Sequence, residues 1–144
     1  MLKRRRFFQG RSIRGGNIKD ITWFEPGGRE MSDAFWGSSQ ARSLGVRLVG
    51  TQIAEVDAHG HPIVGDTLFL MFSAHDQPVE FVLPRHEPGQ HWERLLDTSR
   101  SDWSRRVAWD RGSYELPGRA VAVFRITETG AAAGGHDGCG CGHP

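Results

Sequence analysis

The chain has 144 residues, enough for one domain burying roughly two-thirds of its unfolded surface, and its 18 basic and 17 acidic residues leave a formal charge of +1. That balance provides no broad field to concentrate nucleic acid or an anionic membrane surface, which excludes both as charge-driven partners. The basic start, Met1 to Arg6, is not followed by the apolar stretch a secretory signal needs, and no apolar run reaches bilayer length. A cytoplasmic location is expected.

Residues 1–43 are polar, rich in arginine and glycine, and apolar only in short bursts such as Ile21-Thr22-Trp23-Phe24, so they read as an irregular extension with little core. Within them, Glu30-Met31-Ser32-Asp33-Ala34-Phe35-Trp36 permits one short helical turn, with Ser32 as N-cap and Gly37 as terminator. From Leu44 the texture changes to short β-prone runs between Gly, Pro and Asp clusters. In Leu44–Val49, alternation puts Leu44, Val46 and Leu48 on one face and turns Arg47 to water. Residues 57–62 then mark a turn. Thr67–Ser73 is apolar on both faces and reads as a central strand. Pro78–Pro84 places Val79, Phe81 and Leu83 inward, with residues 74–77 expected to form a hairpin back to the preceding strand. Further strands are expected at 92–97, 113–116 and 119–125, with Pro117-Gly118 as the turn of the last pair. Some six strands without an amphipathic helix between them imply an all-β, antiparallel domain over 44–127, a sandwich or a barrel, and exclude a parallel α/β sheet. Residues 128–144 are rich in glycine, histidine and cysteine, and a flexible tail is expected there.

Arg4–Arg11, Lys19–Met31, Ala41–Val46, Phe72–His75 with Pro78–Pro84, and Leu116–Val121 form five collinear motifs spanning roughly residues 3 to 126. Their order and spacing resemble isoamylase-type glycogen debranching enzymes of glycoside hydrolase family 13, in the stretch just after the catalytic barrel. The resemblance implies that the domain is the C-terminal antiparallel β-sandwich of such an enzyme, whose complete members cleave α-1,6 branch linkages in glycogen. It also implies that the nucleophilic Asp, the acid/base Glu and the supporting Asp belong to barrel strands outside this chain. A (β/α)₈ barrel takes about 200 residues at least, and retaining hydrolysis needs two carboxyl groups about 5 Å apart. No catalytic residue is therefore assigned. The chain is expected to be catalytically incomplete alone, a separated domain or fragment beginning near the end of the last barrel helix. Its expected partners are a catalytic barrel or a second copy of itself, met through Phe7, Phe8, Trp23, Phe24, Phe35 and Trp36.

The remaining constellations carry less. Glu25, Glu30, Asp33, Asp57, Asp66, Asp76, Glu80 and Asp97 fall in turns or on strand faces and read as solvated surface, since a catalytic carboxyl needs burial to shift its pKa. There is no Gly-x-Ser-x-Gly elbow, and His59-Gly60-His61 reads as a turn. In the tail, His136, Cys139, Cys141 and His143 suffice in number for tetrahedral zinc or copper(I), but a Cys-x-Cys pair grips one metal ion poorly without a folded scaffold. A tail with exposed thiols and no cofactor is the reading taken, and a metal-binding protein the alternative to it. Trp92, Trp103, Trp109 and Tyr114 could stack on sugar rings, which would make the chain an independent α-glucan-binding module, although core packing uses the same residue types. The run Lys3–Arg6 reads as a solvated end.

Overall fold

The computed structural model describes residues 19–39, 41–50, 59–61 and 65–128. Phe7, Phe8, Asp57 and the whole Cys/His tail lie outside these residues, as does the expectation that the tail is flexible. Eight strands and one helical turn follow in chain order: β1 (Ile21–Phe24), α1 (Asp33–Trp36), β2 (Ser43–Leu48), β3 (Leu68–Ser73), β4 (Val79–Val82), β5 (Gln90–Asp97), β6 (Val107–Trp109), β7 (Ser113–Leu116) and β8 (Ala120–Glu128). They form two antiparallel layers, a six-stranded sheet in the order β1-β2-β3-β8-β5-β6 and a two-stranded sheet of β4 and β7. The domain is an antiparallel β-sandwich, as expected.

Alternation along each strand decides what reaches the space between the layers. The large sheet contributes Phe24, Phe69, Met71, Trp92, Ala120, Ala122 and Phe124 to the buried cluster. The small sheet and its exit supply Phe81, Leu83, Tyr114 and Leu116. Aromatic rings interlock there edge to face: Phe24 meets Phe69 at 5.9 Å between centroids, and Tyr114 meets Phe124 at 5.0 Å. In β2 the residue opposite Met71 is Gly45, and a β-carbon there would lie 2.6 Å from Cζ of Phe69. The strand thus needs glycine at the point where the fully buried Phe69 ring crosses it.

β3 is flanked by β2 and β8, the interior position expected from its two apolar faces. The face assignment of β2 is reversed in its consequence. Arg47 belongs to the inward side, where its guanidinium lies 5.5 Å from the centroid of the Phe24 ring and burial lowers its pKa, an effect opposed by the Glu30 charge. Leu44, Val46 and Leu48 line the opposite face of the sheet.

Two connections differ from expectation. The segment 74–77 does not close a hairpin, because β4 leaves the large sheet and pairs with β7. Pro117-Gly118 likewise carries the chain between layers, from β7 to β8, which then inserts between β3 and β5. Turn chemistry indicates where a chain reverses without indicating which sheet receives it. The two crossovers rest on one another: the Arg119 N–H donates to the His75 carbonyl at 2.9 Å. A β-carbon on Gly118 would come 2.7 Å from the Asp76 carbonyl group.

The composition boundary at residue 43 is no boundary in the fold. β1 pairs along its full length with β2, and Phe24 belongs to the core. After β1 the chain turns tightly, the Glu25 N–H donating to the Arg29 carbonyl at 2.8 Å, and returns so that Phe24 and Glu30 bridge. Glu25 is 9 % exposed and accepts from the Ser32 hydroxyl at 3.2 Å and from Arg29 at 3.3 Å, tying this turn to the start of α1. Ser32 caps the helical turn by accepting from the Phe35 N–H, and Gly37 closes it, as the sequence predicts.

Candidate functional site

Two surfaces of the sandwich stand out. The first is the outer face of the six-stranded sheet. Its cross-strand register lines up Trp23, Val46, Leu70, Val123 and Leu96 in one continuous apolar row over five strands. Leu44, Phe72 and Val121 form a second row beside it. An antiparallel sheet with one wet face normally alternates apolar and polar residues, whereas β3 and β8 are apolar on both sides at their centres. Val46 and Leu48 are buried, but Phe72 is 36 % and Trp23 39 % exposed. The capped turn α1 sets Trp36, 47 % exposed, edge-on against Trp23 at 5.7 Å.

The second is a cleft of about 410 Å³ between the small sheet and the β5–β6 edge of the large one. Glu80, Ser113, Tyr114 and Glu115 form one wall, and Arg94 and Trp109 the other. Arg100 and Arg111 reach it from loops. Beneath it lies a buried polar network. Arg94 donates to the Tyr114 hydroxyl at 3.3 Å, and that hydroxyl donates to Asp97. The other Asp97 oxygen accepts from the Ser99 hydroxyl at 2.6 Å and from the Ser99 N–H at 2.9 Å.

Asp97 is 1 % exposed, which corrects its reading as surface. Burial alone would raise its pKa, but hydrogen bonds from Ser99 and Tyr114, with the Arg94 charge, outweigh it and hold the carboxyl below its ordinary value. A low pKa makes Asp97 a fixed anion, unsuited to act as a general acid near neutral pH. Tyr114 is pushed up, by burial first and then by its bond to Asp97. Among the described residues, no group of three or more His, Cys, Asp or Glu is placed to hold a metal ion. No helix there is long and apolar enough to cross a membrane.

The sequence that forms this sandwich matches one known family. The family described as "Isoamylase, C-terminal" matches residues 20–133. The chain belongs to the isoamylase C-terminal domain family. It is 39 % identical over 130 residues to the "Glycogen operon protein GlgX homolog" of Mycobacterium tuberculosis and to that of Mycobacterium bovis, covering 88 % of this chain and 18 % of each relative. An "Isoamylase" from a Flavobacterium species is 21 % identical over 119 residues, 81 % of this chain and 13 % of that protein. The chain thus spans less than one-fifth of the length of these relatives. The family match begins at residue 20, in step with the sheet, whose first strand starts at Ile21.

Within this family framework the aromatic candidates separate. Trp92 is 2 % and Tyr114 5 % exposed, so their rings are occupied by the core and offer no face to a sugar. The Trp92 indole donates to the Pro84 carbonyl at 3.0 Å. Trp109 is half-buried at the cleft, with the Arg111 guanidinium 5.7 Å from its ring centroid. Trp103 is 56 % exposed. Of the interface candidates, Trp23 and Trp36 face outward, Phe35 is half-buried, and Phe24 is a core residue. Adjacent strand residues point to opposite faces, so Trp23 and Phe24 could never have shared a surface. The sequence reading missed Arg94, whose burial depends on a long-range meeting with Tyr114 and Asp97. It also left Val46, Leu70, Phe72 and Val123 out of the interface, although the two-faced apolar pattern of residues 67–73 was the signal for it.

Proposed function

We propose that this chain is the accessory C-terminal sandwich of an α-1,6-glucan debranching hydrolase and covers apolar surface on that enzyme's catalytic domain. The carrying observation is the five-strand apolar row on the outer face, from Trp23 through Val46, Leu70 and Val123 to Leu96. A contiguous patch of this kind on a soluble domain marks an interaction surface. More than four-fifths of each GlgX relative lies outside the matched portion, which supplies room for the covering domain. The chain alone would have no hydrolytic activity, and its location would be cytoplasmic, where glycogen is stored.

Co-expression with a separately encoded catalytic domain from a GlgX relative tests this directly. The two chains should co-purify as a 1:1 complex that Trp23→Asp or Val123→Asp disrupts, and the sandwich alone should release no linear chains from branched glucan. A homodimer through the same face, seen by light scattering and insensitive to the catalytic domain, would replace this reading with self-association. Turnover by the isolated chain would refute it.

A further inference from the structure

We propose that the cleft between the small sheet and the β5–β6 edge binds the hydroxyl-rich units of a glucan chain, as a secondary substrate-holding site apart from the apolar docking face. The volume of about 410 Å³ falls in the roughly 300–1,000 Å³ range of small-ligand sites. Its lining selects the ligand chemistry. Arg94 donates to the Tyr114 hydroxyl, which in turn donates to Asp97, and Arg100 is paired with Asp102 at 3.0 Å, so each cation lies beside a carboxylate, directly or through one hydroxyl. The rest of the charged lining is Arg111, set over the Trp109 ring, with Glu115 and with Glu80, which accepts from the Ser113 hydroxyl at 2.7 Å. That mixture repels a multiply charged anion and fails to attract a cation. It suits hydroxyl groups, each of which donates one hydrogen bond and accepts others. Trp109 adds apolar surface to the lining, with the Arg111 guanidinium over its ring.

An independent observation shows that the wall is incomplete. Arg94 is 5 % exposed, and its Nε–H has no acceptor. The other orphaned buried atoms among the described residues belong to Thr22, Arg47 and Arg125, none of which lines the cleft. A buried cationic donor without an acceptor is a costly arrangement, relieved when a bound group supplies the oxygen. The choice of an α-glucan among hydroxyl-rich ligands rests on the proposed membership in a debranching enzyme; the cleft chemistry does not.

The test is a two-dimensional ¹H–¹⁵N titration of the full 144-residue chain with maltoheptaose, and separately with inorganic phosphate. Maltoheptaose should move the Trp109 indole and Ser113 amide signals and leave the indoles of Trp23 and Trp36 on the outer face unmoved. Arg111→Ala and Glu115→Ala, both at exposed positions, should each weaken that binding at least tenfold without changing the melting temperature. Shifts with phosphate and none with maltoheptaose would overturn the proposal in favour of an anion site. Shifts confined to Trp23 and Trp36, or none at all, would overturn it outright. Adding the catalytic domain instead reports on Trp23 and Trp36, so failure of the cleft and failure of the docking face are read from different signals.

Discussion

The two faces of the six-stranded sheet are nearly matched in apolar content, yet among the described residues only one of them is covered by a second sheet. On the inner side, Phe69, Met71, Ala122 and Phe124 are wholly excluded from solvent by a two-stranded layer that contributes just Phe81, Leu83, Tyr114, Leu116 and the half-buried Val79. On the outer side, Leu70, Val121 and Val123 alternate with those same residues along the same strands and remain half-exposed. A small cover suffices where its side chains are large and the facing positions are small, as at Ala120 and Ala122. Among the described residues, no second strand layer covers the outer side, where Val46 and Leu48 are nevertheless buried. Stability is therefore concentrated on the inner face, while the outer face carries the apolar surface proposed above for docking.

Substitutions on a single strand separate those two roles most sharply. Phe69→Ala removes a ring with no solvent exposure and should cost about 3–5 kcal/mol in denaturant unfolding. Asp97→Ala would strand the buried Arg94 guanidinium and Tyr114 hydroxyl and should cost about 3 kcal/mol, measured the same way. The same network sets a pH signature. Because the folded pKa of Asp97 lies below its unfolded value of about 3.9, its contribution is complete above that pH and is lost as pH falls through the lowered folded value. Asp97→Asn should accordingly flatten the acid limb of the stability profile below about pH 4. Tyr114 is the sole tyrosine of the chain, so its phenolate absorbance is readable in isolation. It should emerge above the ordinary value near 10 in the folded protein and near 10 in urea.

A smaller effect probes the contact between strand and ring. Gly45→Ala sets a β-carbon against Phe69, which has nowhere to move, and should cost about 1–3 kcal/mol. Smallest of all, Phe72→Ala, three residues beyond Phe69 and 36 % exposed, should change the stability of the isolated chain by less than about 1 kcal/mol. The same variant should weaken association with a catalytic domain measurably by calorimetry. Equal losses from Phe69→Ala and Phe72→Ala in the isolated chain would erase the distinction between the faces.

The strand pattern was largely legible because alternation is local: β2, β3, β4, β5, β7 and β8 stand where periodicity puts them. β6, three residues long, and β1, four residues long inside a polar stretch, carry too little pattern to be separated from loop. What eluded sequence reasoning is which layer receives each strand, since β4 and β7 find each other across 30 intervening residues. The same cause hid Asp97. Nothing in Leu95-Leu96-Asp97-Thr98 announces burial, which arises only when Tyr114 and Arg94 arrive from other parts of the chain. The outer face was recognisable in part, through Trp23 and Trp36, but its extent follows from register, a property of pairs of strands.

The place of β8 has a further consequence for how the chain is assembled as it is made. It is the last described strand, yet it forms the seam of the large sheet, with β5 and β6 joined to β1, β2 and β3 only through it. Until Ala120–Glu128 has left the ribosome, β3 and β5 each present an unpaired apolar edge and neither half can close. The keystone is thus the last described strand to be made, and an intermediate truncated before it is the species most exposed to aggregation.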